Sequence, residues 1–324
     1  MRSQIKKIIR QNKEKFGEAN NILVEKLPWG IWNFNYKVTV DKKNYVFKIY
    51  SNFRRYGYFF NKGLQEFKTL NFLEETGIAP KAILFDNSRE IIDNDVLVYE
   101  YAKGSSLKKE KRNIIKAAEV LAKLHSIKTD NIDFLDKKEN SLREIFEYIL
   151  QEFENYKTKD YKDEKIVYEL SKFIDKLRIK VQKEPKYNPA IVHNDLVPSN
   201  IIKKKNIKLI DWQGSWVGDP AFDCWAITSD IFNWWDWKDS LTGLQKEIFW
   251  QTYLEITEDK NIRKRVEFKE PFYYIKLLLY GLNKFSDYKA AKLPSELILR
   301  EHHFRKYKVL NEMCLDNLRR LLNK

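Results

Sequence analysis

The chain has 324 residues, 43% of them hydrophobic and 15% aromatic, which excludes a disordered protein and leaves material for more than one packed core. Its 60 Lys and Arg against 46 Asp and Glu give a formal net charge of +14, spread along the length as on a solvated lysine-rich surface and not gathered into a nucleic-acid-binding arm. Cys224 and Cys314 can form neither a disulfide framework nor a Cys-x-x-Cys metal site, and the lack of a signal segment or a long apolar run predicts a cytoplasmic protein without membrane spans.

In chain order, residues 3–16 read as a short helix, and strand-like runs begin at 22–25. Segments 36–40 and 45–50 are rich in β-branched and aromatic residues and are joined by a turn over 41–44, so they form a hairpin with Lys48 in its second strand. A helix over 64–73 has apolar residues at 64, 67, 70, 72 and 73, carries Glu66, and ends at Gly77 and Pro80. Residues 96–104 read as a buried strand that runs into a glycine-ended connection. The helix over 114–125 ends in His125, a position that the helix dipole and packing favour, so the histidine reads as structural. A mostly helical stretch over 141–183 precedes the most specific motif. After it, Asp219 can cap a helix whose first position is Pro220 and whose first turn holds Asp223. Helices over 241–256, 272–285 and 297–322 complete the chain.

The motif is Ile191-Val-His-Asn-Asp-Leu-Val-Pro-Ser-Asn-Ile-Ile202, followed by Lys208-Leu-Ile-Asp-Trp212. His193, Asp195, Leu196 and Asn200 match H-x-D-L-x-x-x-N, and Asp211 closes a short apolar strand where a second acid belongs. Phosphoryl transfer needs a proton acceptor beside the attacking hydroxyl and Mg²⁺ on the triphosphate. Asp195 is the candidate catalytic residue, and Asn200 and Asp211 supply hard oxygen ligands of the kind Mg²⁺ takes together with phosphate oxygens. His193 is read as architectural, holding Asp195 in place. Local turn preferences of Asn, Asp, Pro and Ser would explain Asn194-Asp195 and Pro198-Ser-Asn200 separately. They would not explain Leu196, the flanking apolar pairs and the later acid together.

At these residues the chain resembles the aminoglycoside phosphotransferase and choline kinase superfamily, small-molecule kinases that share a fold with protein kinases. His193-Asn-Asp-Leu-Val-Pro, Ile210-Asp-Trp and Gly218-Asp-Pro-Ala-Phe-Asp223 carry the resemblance. A protein kinase would have Arg at position 194 and Asp-Phe-Gly at 211–213; this chain has Asn194 and Asp211-Trp-Gln213. The resemblance implies an α+β, protein-kinase-like two-lobed fold: a small β-rich nucleotide-clamping lobe over 1–102 and a larger, mainly helical catalytic and substrate-binding lobe over 103–324. It implies that Lys48 pairs with the phosphates of ATP, or of GTP, and that Glu66 holds Lys48. Gly30 and Asn33 resemble the family's phosphate loop, although the single glycine over 28–35 rules out a G-x-G-x-x-G cradle. Main-chain groups of Glu100, Tyr101 and Ala102 are the expected base-binding positions, and Asp223 the expected support of the catalytic loop.

The aromatic run Phe232-Asn-Trp-Trp-Asp-Trp237 is where the acceptor is expected to be read. Tryptophan faces attract quaternary ammonium, so Trp234 and Trp235 with Asp230 or Asp236 fit a small cationic metabolite such as choline or an amino alcohol; aromatic spacing of this kind also fits plain packing. The alternatives are an aminoglycoside acceptor in a wider acidic cleft and a non-enzymatic nucleic-acid-binding protein.

Overall fold

A computed structural model describes residues 1–28, 33–51, 63–139, 141–231, 240–290 and 301–322, with side chains in the last segment described from 305. Gly30, Trp234, Trp235 and Asp236 lie outside the described residues. The fold is mixed α and β, with a small antiparallel sheet in the N-terminal region and a helical C-terminal part. The chain divides into two compact units. The first comprises Met1–Lys108, Ile132–Leu135 and Pro198–Ser215, and the second comprises Lys109–Asn131, Asp136–Val197 and Trp216–Lys324.

The first unit opens with α1 (Arg2–Gln11) and α2 (Lys13–Phe16). The single helix expected over 3–16 is broken at Asn12, whose φ of −112° is not helical and whose amide donates back to the Ile8 carbonyl at 2.8 Å. Strands β1 (Ile22–Lys26), β2 (Asn33–Val40) and β3 (Lys43–Tyr50) are followed by α3 (Gly63–Phe72), β4 (Ala82–Asp86) and β5 (Val96–Glu100). They form an antiparallel sheet in the order β1-β2-β3-β5-β4. The hairpin turn is tighter than expected: Val40 already pairs with Lys43, and Asp41 takes a φ of 52°.

Alternation along β3 sorts its side chains between two faces. Tyr45, Phe47 and Ile49 join the core with Ile8, Phe16 and Val38, each large side chain contributing about 1.5–3 kcal/mol by burial. Val46, Lys48 and Tyr50 take the opposite face. On α3 the buried positions are Gly63, Glu66, Thr69 and Leu70, while Leu64, expected on the apolar face, is 49% exposed. The helix turns a polar residue inward because Glu66 has partners there. A second sheet, in the order β6-β8-β9, joins β6 (Ser105–Ser106) to β8 (Ile201–Lys203) and β9 (Ile207–Leu209).

The second unit holds α4 (Lys111–His125), α5 (Ser141–Lys157), α6 (Glu164–Val181) and β7 (Ala190–Val192). After β10 (Trp216–Gly218), which pairs antiparallel with β7, come α7 (Ala221–Thr228), α8 (Gly243–Ile256), α9 (Ile262–Lys289) and α10 (Glu301–Leu322). The helix expected to begin at 272 instead starts at Ile262 and runs through Pro271. Proline removes one i→i−4 hydrogen bond and crowds the preceding turn. Burial of Val266, Phe272, Ile275, Leu278 and Leu279 against α5, α7 and α10 outweighs that loss. Asp219 does more than cap α7 through the Ala221 N–H at 3.0 Å: it is buried at 3.0 Å from Arg265 and 2.8 Å from Lys269. Arg265 also meets Asp259, and Lys269 meets Glu184 and Ser141, so the cluster ties together segments distant in sequence. Among the described residues no helix is long and apolar enough to cross a membrane.

Candidate active site

In the first unit the sheet and α3 bring one ammonium between two carboxylates. Lys48 is 2% exposed, and its Nζ donates to Glu66 Oε2 at 2.7 Å and to Asp211 Oδ1 at 2.6 Å. Glu66 also accepts from the Tyr50 hydroxyl and, through Oε1, from the Trp212 backbone N–H at 3.1 Å. Gly63 lets α3 approach this closely, since a Cβ there would stand 2.8 Å from the Phe85 ring and 2.9 Å from the Tyr50 ring. Burial alone would push the Lys48 ammonium down, but Asp211 and Glu66 outweigh it and hold the pKa above its ordinary value. Burial pushes Glu66 up, with Lys48 pulling in the other direction. Two carboxylates around one ammonium leave one unit of excess negative charge.

Asp211 holds its carboxylate toward Lys48 from a left-handed backbone, φ 68° and ψ 61°. A non-glycine residue there is strained by roughly 1–2 kcal/mol, a cost that persists where surrounding bonds over-determine the geometry. Those bonds are present: Ile210 N–H donates to the Asn200 carbonyl at 3.0 Å, Leu209 N–H to Ile78 at 2.8 Å, and the Trp212 indole to Leu209 at 2.9 Å. Asp211 keeps 34% of its side chain exposed, while Asn200 is 9% exposed. Asp211 and Asn200 therefore offer a carboxylate and a carboxamide in the same compact unit, next to a cluster in which two carboxylates meet one ammonium. That donor set fits Mg²⁺ shared with phosphate oxygens, a site that needs few protein carboxylates. Among the described residues no group of three or more His, Cys, Asp or Glu side chains could hold a metal.

The other nucleotide-side candidates fall in the same unit. Asn33 donates to the Gln213 side chain at 2.9 Å and accepts from Ser51 N–H at 3.4 Å. Glu100 and Ala102 line a pocket of about 300 Å³ with Pro80, Ile202 and Asn206. Tyr101 N–H is committed to the Asn44 carbonyl, whereas Ala102 N–H has no main-chain partner among the described residues.

In the second unit Asp223 grips the backbone that leads to Asp195. Its carboxylate accepts from His193 N–H at 2.7 Å and from Asn194 N–H at 2.9 Å. The His193 ring accepts from Asp195 N–H through Nδ1 at 3.3 Å, and Asn194 sits left-handed at φ 72°. His125 backs Asp223, 3.2 Å from its carboxylate and 2.7 Å from the Tyr253 hydroxyl, a structural role. Asp230 is engaged with Lys246 at 2.5 Å. The sequence reading missed Lys276, whose ammonium is influenced electrostatically by Asp195 and Lys138. The signal available was a lone lysine in the apolar run Phe272-Tyr-Tyr-Ile-Lys-Leu-Leu-Leu279.

A family model described as the phosphotransferase enzyme family matches residues 24–264. No curated protein matches the chain in sequence. Among solved structures, choline kinase from Cryptosporidium parvum is similar at 17% identity and a TM-score of 0.65, covering 96% of this chain and 97% of that one. Ethanolamine kinase from Plasmodium vivax shares 17% identity at a TM-score of 0.66, covering 95% and 86%. A spectinomycin phosphotransferase in complex with ADP and spectinomycin shares 14% identity at a TM-score of 0.65, covering 95% and 97%. At these identities the likeness establishes the protein-kinase-like fold and leaves the acceptor open.

Proposed function

The chain belongs to the phosphotransferase enzyme family, a small-molecule kinase acting on hydroxyl acceptors, and on that footing we propose how its residues divide the reaction. ATP, or GTP, is the phosphoryl donor. Lys48, oriented by Glu66, holds the donor phosphates, and Asp195 orients the acceptor hydroxyl and takes its proton as the oxygen attacks the γ-phosphorus. The new O–P bond forms as the bond from the γ-phosphorus to the bridging oxygen breaks, leaving ADP or GDP. Mg²⁺, held by Asn200 and Asp211 when bound, would neutralise triphosphate charge. His193 and Asp223 act as positioning residues that fix the backbone on either side of Asn194. The observation that carries this reading is the Lys48 ammonium held between Glu66 and Asp211.

The acceptor is a small-molecule alcohol. A choline-like or amino-alcohol acceptor would draw on Trp234, Trp235 and Asp236, and an aminoglycoside on a wider acidic wall. The reaction takes place in the cytoplasm, where nucleotide is abundant and the buried thiols of Cys224 and Cys314 stay reduced.

The test is nucleotide-diphosphate formation by purified protein with Mg²⁺ and ATP or GTP across choline, ethanolamine, sugars, amino-acid alcohols and aminoglycosides. Asp195→Ala is expected to lower turnover by about 10²- to 10⁴-fold. Asp211→Ala is expected to abolish the Mg²⁺-dependent thermal shift with nucleotide. Wild-type turnover in Asp195→Ala would overturn the assignment.

A further inference from the structure

We infer that the alcohol phosphorylated by this protein also carries an anionic group, a carboxylate or a phosphate, which seats on Lys276 beside Trp216 and Phe222. The inference rests on the phosphotransfer reading above and specifies its acceptor.

Its basis is a half-buried lysine whose contacts are ring faces. Lys276 Nζ stands 4.4 Å from the centroid of the Phe222 ring and 5.6 Å from that of Trp216. Among the described residues it has no ion pair and no hydrogen bond beyond these ring contacts. Lys138 lies on the same indole, 4.5 Å from its centroid, and is answered by Glu144 at 3.3 Å. Two ammonium groups therefore share one tryptophan, and one of them has a carboxylate.

Ring faces compensate a desolvated ammonium only in part. Burial first, and then Lys138, push the Lys276 pKa down to about 7, with Asp195 restoring only some of it. A lysine serving as the counter-ion of Asp195 would be shifted upward instead. The indole adds a second unsatisfied donor, since the Trp216 Nε1–H is buried without an acceptor among the described residues. Its place is set by Gly218, where a Cβ would stand 3.2 Å from Nε1. An ammonium whose contacts are ring faces is complementary to an anion.

The same geometry disfavours a quaternary ammonium at this wall. Lys138 and Lys276 already lie over Trp216, and Lys276 over Phe222, so a further cation there would meet like charge at close range. An acceptor with its hydroxyl toward Asp195 and its anion toward Lys276 keeps the two negative groups apart and gives each a partner of suitable chemistry.

The experiment compares matched acceptors: glycerol with D-glycerate and with glycerol 3-phosphate, glucose with glucose 6-phosphate, and choline and ethanolamine as cationic arms, with Asp195→Asn as the blank. The expected result is an anion-bearing member preferred over its uncharged counterpart by about tenfold or more in kcat/KM, the size of one charge-assisted hydrogen bond. Lys276→Gln should erase that preference through KM, and Lys276→Arg should keep it; the carboxylate and phosphate arms identify the anion. Preference for choline, ethanolamine or an uncharged member overturns the inference, as does an unchanged preference in Lys276→Gln.

If no member turns over, acylation of Lys276 by a succinimidyl ester near neutral pH, read by peptide mass spectrometry, decides. Protection by glycerate or inorganic phosphate but not by glycerol supports the anion site, and equal labelling overturns it. Failure of the kinase reading shows separately, as absence of any thermal shift with Mg²⁺ and ATP or GTP.

Discussion

Replacing Glu66 by Gln keeps the shape of the side chain and removes its charge. Three donors converge on Glu66: Lys48 Nζ at 2.7 Å, the Tyr50 hydroxyl, and Trp212 N–H at 3.1 Å. Glutamine has one acceptor oxygen and one amide donor, so it cannot serve all three. If its oxygen stays with Lys48 and Tyr50, the amide NH₂ faces the Trp212 N–H; if it flips, the NH₂ faces Lys48 and Tyr50. The first arrangement is cheaper. It leaves one buried donor unsatisfied, about 1–3 kcal/mol, and weakens a charge-assisted bond worth about 1.5–3 kcal/mol, partly offset because Lys48 keeps Asp211. A net loss of about 3 kcal/mol corresponds to a fall in Tm of roughly 4–5 °C for a chain of 324 residues. Release of the Trp212 N–H and loss of the charge beside Lys48 also loosen the proposed phosphate clamp, by about 10- to 100-fold in nucleotide Kd. Calorimetry with and without Mg²⁺ and ATP reads both. The exposed pair Glu25 and Lys37, 3.7 Å apart, provides the control, because Glu25→Gln should cost at most about 1 kcal/mol. A Glu66→Gln protein with the thermal midpoint and nucleotide affinity of wild type would refute the reasoning.

Asp219→Asn retains an acceptor for the Ala221 N–H and removes only the charge facing Arg265 and Lys269. Because Asp259 and Glu184 remain, the loss should fall near 3 kcal/mol, the lower end of the range for breaking a buried pair, and an unchanged denaturation midpoint would contradict it. The pH dependence has a defined sign. Burial and Lys159 hold the pKa of Lys284 at about 7, and Lys276 is held there too, whereas an unfolded lysine keeps its proton to about 10.4. Between those values the unfolded chain binds more protons, so these two lysines make stability rise with pH above 7 and cost stability below it. Tm measured at constant ionic strength should climb from pH 7 toward about 9, before tyrosine ionisation intervenes. Lys284→Met should flatten the slope, and a wild-type Tm that falls over that window would count against it.

Much of the fold is legible in the sequence because the signals are local. Alternation along 36–50 marks a hairpin, and one inward lysine on its second strand calls for an acid from the next helix, a contact the structure contains between Lys48 and Glu66. What escapes local reading is decided by partners distant in the chain. Leu64 is exposed because Glu66 and Thr69 take the inner face of α3. Pro271 lies within α9 because the residues after it are buried on several helices at once, which no window around the proline can show. Asp219 reads as an ordinary cap until Arg265 and Lys269, 46 residues on in the case of Arg265, are brought to it. Lys276 went unnoticed for the same reason: a lysine in an apolar helix looks like a rim residue until the rings of Phe222 and Trp216 are placed under it.

The composition of the first unit also bears on how the chain is made. Met1–Lys108 lacks β8, β9 and Asp211, all supplied by Pro198–Ser215. A ribosome adding about 5–20 residues per second needs on the order of 5–20 s to pass from Lys108 to Ser215. Through that interval β6 has no strand to pair with and Lys48 has one carboxylate where the finished protein gives it two. The five strands β1 to β5 are all made before Pro198–Ser215, so the N-terminal sheet has every strand it pairs with while its ion-pair cluster still waits for Asp211.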